Sequence, residues 1–171
     1  TAQPGESLEG VAMTGRRWLQ SHVPPAHLVR RLRQTNAFTL RVTCTTSDPT
    51  QTGPARIVSN SVSLSLRNFT VGQQGADLVV RVRTPLSGPN GTRAETVVPD
   101  VFASDQPRDI LITYDGTALV AAVASSNLIV RTELSPGLNA ALVLSPDSAN
   151  VLQRQQPYKL GYLAVLFLPP A

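Results

Sequence analysis

The hydrophobic positions of this chain recur at two different periods. Over residues 25–34 they follow a helical spacing, with Leu28, Val29 and Leu32 on one face and Arg30, Arg31 and Arg33 off it. Pro25 opens this stretch, at a position where a missing N–H costs the helix nothing. The pattern predicts one short amphipathic helix laid over the edge of a core. From Ala37 the period drops to two. Phe38, Leu40, Val42 and Cys44 alternate with Thr39, Arg41, Thr43 and Thr45, as in a half-buried strand. Further strands are expected near residues 10–14, 56–59, 68–72, 77–83, 109–114, 118–124, 128–134, 138–144 and 160–167. In residues 77–83, Leu78, Val80 and Val82 face one side, and Val79, Arg81 and Arg83 the other. Residues 109–114 leave little polar side, so this strand is expected to be buried on both faces.

Turn residues punctuate these runs: Asp48-Pro49, Gly53-Pro54, the Gln73-Gln74-Gly75 connection, Ser87 to Gly91, Gln106-Pro107 and Asp115-Gly116. About nine short strands at this spacing, with one short helix, read as an all-β, two-sheet antiparallel jelly-roll sandwich. At 171 residues the chain suits a single domain over residues 1–171, with its core across about residues 8–168. The most apolar run, residues 160–168, has roughly half the length of a membrane span. It is either the last buried strand or the approach to a membrane helix in a longer parent chain. Thr1-Ala2-Gln3-Pro4-Gly5 lacks the pattern of a signal peptide and reads as the cut end of such a chain.

Charge narrows the classes of partner. The formal net charge is +4, but Arg16-Arg17, Arg30-Arg31-Arg33 and Arg81-Arg83 are the only close basic sets. No aromatic residue interleaves with them as a base-stacking platform requires, so nucleic acid is not an expected partner. Cys44 is the only cysteine, which excludes an intrachain disulfide and a thiolate zinc cluster. Its place in an alternating strand predicts a buried thiol.

Several segments, in order, carry a family resemblance. Pro54-Ala55-Arg56-Ile57-Val58-Ser59 is followed by the run from Asn68-Phe69-Thr70-Val71-Gly72 to Val82-Arg83-Thr84-Pro85. Then come Gly88-Pro89-Asn90-Gly91-Thr92 and Ile110-Leu111-Ile112-Thr113-Tyr114-Asp115-Gly116. Over residues 8–145 this order resembles the laminin-G-like, concanavalin A-like jelly-roll domains of bacterial surface proteins. It is similar in particular to the domain fused to VanZ-like membrane proteins. The resemblance implies an extracytoplasmic, membrane-anchored or secreted bacterial parent and a carbohydrate-binding role. Three departures stand against that pattern. Val42-Thr43-Cys44-Thr45 replaces a strand that usually carries tryptophan, and Arg108-Asp109 stands where a histidine is often seen. Leu119 to Val123 replaces a polar or aromatic segment.

Catalytic constellations are scarce. Hydrolases on this fold need paired carboxylates sharing a strand face, and no Glu-x-Asp-x-x-Glu arrangement occurs among the 11 acidic residues. His22 and His27 both fall in or beside the helix, with no carboxylate partner in sequence, and no nucleophile elbow or phosphate loop is present. Asp115 is the candidate for a calcium ligand; its alternative reading is a hairpin turn residue. Arg41, Arg81, Arg83 and Arg131 all alternate outward on expected strands. Brought together, they would form a basic face for acidic glycans or anionic headgroups; the alternative is four solvated side chains. The expectation is a non-enzymatic, extracytoplasmic module that binds cell-envelope glycan or another surface polymer, with a structural or protein-interaction domain as the alternative and a polysaccharide hydrolase the weakest. No cofactor is expected beyond calcium.

Overall fold

The structure, a computed structural model, describes residues 11–13, 19–63, 65–124, 127–134, 149–152 and 158–166. The strands are β1 (Val11–Met13), β2 (Leu19–Gln20), β3 (Phe38–Thr46), β4 (Ala55–Ser61), β5 (Arg67–Gln74) and β6 (Asp77–Val82). They continue with β7 (Thr96–Val98), β8 (Arg108–Tyr114), β9 (Ala118–Val123), β10 (Leu128–Glu133), β11 (Ala149–Leu152) and β12 (Tyr158–Leu166). Two antiparallel six-stranded sheets result. The first runs β1-β12-β3-β8-β9-β10, the second β2-β11-β4-β5-β6-β7. This is the all-β sandwich that the turn spacing predicts.

The helix α1 (Ala26–Thr35) lies where the 3.6-residue spacing puts it, and it buries Val29 and Leu32. Asn36 ends it in the left-handed conformation, its N–H donating to the Leu32 carbonyl. The apolar members of β3 face the opposite sheet, and Phe38 stacks on Phe69 of β5 with ring centroids 5.5 Å apart. That contact couples the sheets through the core, and Tyr114 packs beside it at 5.9 Å. Cys44 lies buried on the same face. Gly75, at φ +60, opens the two-residue turn between the paired Gln74 and Asp77, as the hairpin reading requires.

Three strands escape the sequence pattern: β2, β7 and β11, of two to four residues each. They are too short to display a period. Residues 158–166 form a strand between β1 and β3. Among the described residues no helix is long and apolar enough to cross a membrane. The strand expected over residues 138–144 lies outside the described residues.

One burial expectation is corrected, and one face is covered that the alternation did not mark. Strand β8 is not buried on both faces: Ile110, Ile112 and Tyr114 fill the core, and Leu111 on the other side is 40% exposed. Val79 points away from the core with Arg81 and is nevertheless buried, as β4 is along its whole length and β5 is except at Gln74. Alternation fixes which face a side chain joins, not whether that face is covered.

Candidate functional site

Strand register assembles a row of side chains on the outer face of the first sheet. Arg41 of β3 pairs with Leu111 of β8, Leu111 with Ala122 of β9, and Ala122 with Ile129 of β10. Along this row runs an open groove of about 270 Å³, lined by these four residues with Asp109, Val123, Ala124 and Asn127. Its walls are mainly apolar. Ile129, on the terminal strand, is 70% exposed.

At the β3 end the groove stops at an ion pair. Arg41 donates through Nε to Asp109 Oδ1 (3.0 Å) and through Nη2 to Oδ2 (2.6 Å), a bidentate fork that fixes both side chains. The Thr43 hydroxyl adds a longer bond to Oδ1, at 3.4 Å. The Arg41 hydrogen bond holds the Asp109 carboxyl below the usual carboxylate range, against the opposing effect of partial burial. The groove therefore offers a charged donor and acceptor at one end, the Asn127 amide near the other, and a hydrocarbon floor between. Binding sites of this kind orient a ligand by a few polar contacts and hold it by apolar area. Hydrolysis would require a second carboxylate facing Asp109, and Asp109 is the only acid among the lining residues.

The four candidate arginines are not gathered onto one face. Arg41 and Arg131 share the outer face of the first sheet, three strands apart, on the order of 14 Å at ordinary strand spacing. Arg81 belongs to β6 of the second sheet, and Arg83 follows that strand, its N–H donating to the Asn68 carbonyl. Three of the four are neutralised where they stand: Arg41 by Asp109 (2.6 Å), Arg81 by Glu95 (2.7 Å) and Arg131 by Glu133 (2.6 Å). Near Arg81 the second sheet holds Arg67, whose guanidinium pKa is pushed down to about 10, first by burial and then by Arg56 and Arg81.

Asp115 caps its own turn. Its Oδ1 accepts from the Thr117 N–H, the Thr117 hydroxyl and the Ala118 N–H, all at 2.8 Å. Among the described residues no group of three acidic, histidine or cysteine side chains stands together to hold a metal ion, around Asp115 or elsewhere. These bonds are those of a turn residue. A sugar platform needs an exposed aromatic ring; Trp18 lies outside the described residues, and Tyr114 is buried in the core.

Sequence reasoning missed Leu111, Ala122, Asn127 and Ile129. For Ile129 a signal existed, because period-two counting over residues 128–133 sets it outward with Arg131 and Glu133. For Leu111 none did, since an apolar run does not say which of its faces is covered.

No family model matches the chain, and no curated protein does. The resemblance to VanZ-fused domains therefore has no support beyond the quoted motifs. Solved structures do match. The binding domain of botulinum neurotoxin DC in complex with rat synaptotagmin II superposes with a TM-score of 0.60 at 11% identity, over 92% of this chain and 42% of that one. Botulinum neurotoxin type C, dependent upon interaction with two ganglioside molecules to enter cells, gives 0.61 at 9% identity, over 92% and 42%. The receptor-binding domain of botulinum neurotoxin D gives 0.57 at 8% identity, over 79% and 34%. The likeness is one of fold. This chain spans well under half the length of each of these structures.

Proposed function

We propose that this protein is a non-catalytic, extracytoplasmic recognition module that binds cell-envelope glycan or another surface polymer in the outer groove of the first sheet. The observation that carries the reading is the groove itself: an apolar floor of Leu111, Ala122 and Ile129 closed by the bidentate Arg41–Asp109 pair. A pyranose ring presents C–H groups to such a floor and hydroxyls to such a pair. The likeness to receptor-binding domains supports the general class, and the motif resemblance supports the extracytoplasmic setting.

A thermal-shift titration with neutral cell-wall polysaccharides tests it. A ligand present at a hundred times its dissociation constant stabilises the folded state by about 2.7 kcal/mol. The expected result is a rise in Tm that Leu111→Asp/Ile129→Asp removes, both side chains being exposed enough for the variant to fold. No shift with any polysaccharide, or an equal shift in the double variant, overturns the reading. The 70% exposure of Ile129 favours one alternative, a protein partner seated on the same groove. Under that alternative the double variant changes no polysaccharide binding.

A further inference from the structure

The positive charge of this chain is unevenly placed. Between Glu9 and Asp48 stand Arg16, Arg17, Arg30, Arg31, Arg33 and Arg41, with no acidic residue among them. The consequence appears on α1. Arg30, Arg31 and Arg33 are exposed, and among the described residues none of the three has an ion pair or a side-chain hydrogen bond. Arg41, Arg81 and Arg131 on the sheets each hold a carboxylate within 2.7 Å. Three exposed arginines without a carboxylate partner thus stand together on one helix.

We propose that the outward face of α1 is a second binding surface, on which Arg30, Arg31 and Arg33 bind the carboxylate or sulfate groups of an acidic polysaccharide. At 100° per residue the three guanidiniums span an arc of about 160°, centred opposite the buried Val29 and Leu32. They lie within roughly 4.5 Å along the axis, so they meet one polymer rather than three. All are arginine, whose planar fork matches oxyanions bidentately. A lipid surface fits less well. A membrane-binding helix inserts its apolar face, and the apolar face of α1 is already packed on the core. Nucleic acid fits less well too, because α1 carries no Phe, Tyr or Trp on which a base would stack. The polymer class is within that proposed for the groove, but the two surfaces are distinct and fail separately.

Surface plasmon resonance with the full chain tests the assignment, using immobilised heparin and polygalacturonate, neutral dextran as control, and vesicles of phosphatidylcholine with phosphatidylserine. The wild type is expected to bind the acidic polymers, more weakly as salt rises, and not dextran. Arg30→Ser/Arg31→Ser/Arg33→Ser is expected to lose tenfold or more, on the order of one charged hydrogen bond per site, with unchanged Tm. The corresponding triple lysine variant recovers only part of the loss, because the charge returns without the fork. Leu111→Asp/Ile129→Asp leaves acidic-polymer binding in place. Equal binding by wild type and the serine variant, or tighter binding to the vesicles than to either polymer, overturns the proposal. Loss in the groove variant alone overturns it as well, and leaves the groove reading standing.

Discussion

Arg41 of β3 and Arg81 of β6 make the same kind of ion pair in the two sheets. Each points away from the core, each lies on a face with serine or threonine neighbours, and each holds one carboxylate at hydrogen-bond distance. Their surroundings differ. The Arg41 side chain is 52% exposed and closes an open groove, whereas Arg81 is 12% exposed, in register with Thr70 and, beyond it, Ser59, both fully buried. One outer face is a surface and the other is interior in all but topology. On the exposed face polar groups are served by water and are disposable for stability. On the buried face they must be served by each other, and Ser59 Oγ accordingly lies 2.9 Å from both Ser61 Oγ and Thr70 Oγ1 and donates to the Phe69 carbonyl. Binding belongs on the first kind of face, because substitutions there can follow a ligand without unfolding the protein.

The core shared by both faces sets the energy scale. Phe69 lies across the sandwich from Phe38, so Phe69→Ala removes a stacked pair and leaves a cavity between the sheets. A loss of about 3–5 kcal/mol is expected by urea denaturation. A loss below 1 kcal/mol would mean that the sheets are held by something other than this contact. On that scale the faces separate. Ser59→Ala removes three buried hydrogen bonds, to Ser61, Thr70 and the Phe69 carbonyl, and is expected to cost about 1–3 kcal/mol. Thr43→Ala, its counterpart on the half-open face, is expected to stay within about 0.5 kcal/mol. Equal costs would erase the distinction between the faces.

Much of the fold was legible because it depends on local period. The amphipathic spacing of Leu28, Val29 and Leu32 marks α1, and the alternation from Phe38 to Cys44 marks the strand that supplies the centre of the core. The site was not legible, because it depends on register. Nothing in the sequence sets Arg41 beside Leu111 or Ile129 beside Ala122; those neighbours follow from pairings between segments up to 70 residues apart. The four arginines fail as a single basic face for the same reason. Alternation turned each outward, but topology sent two to each sheet and set acids against three of them. The charge gap between Glu9 and Asp48 was visible, and its meaning waited on which arginines have partners.

Acidification provides the smallest and most specific test of the comparison, because the open face holds carboxylates whose protonation is tied to folding. The Arg41 hydrogen bond lowers the pKa of Asp109. For Asp115, burial pulls upward but is outweighed by the bonds from Ala118 and Thr117, so its pKa also falls. A folded-state pKa below the unfolded one gives stabilisation that is complete above the ordinary carboxylate value near 3.9 and is lost as pH drops through the folded value. Stability is therefore expected to be flat from pH 7 down to about 5 and then to decline. Because the Arg41–Asp109 pair is well exposed, Asp109→Asn is expected to cost no more than about 1 kcal/mol at pH 7. Its effect should shrink toward zero at low pH, where the wild-type carboxyl is itself neutral. Asp115→Asn should flatten the same acid limb by weakening the β8–β9 turn. A penalty for Asp109→Asn that persists unchanged into acid would show that Arg41 holds this residue by shape rather than by charge, and that the open face is more tightly built than its exposure implies.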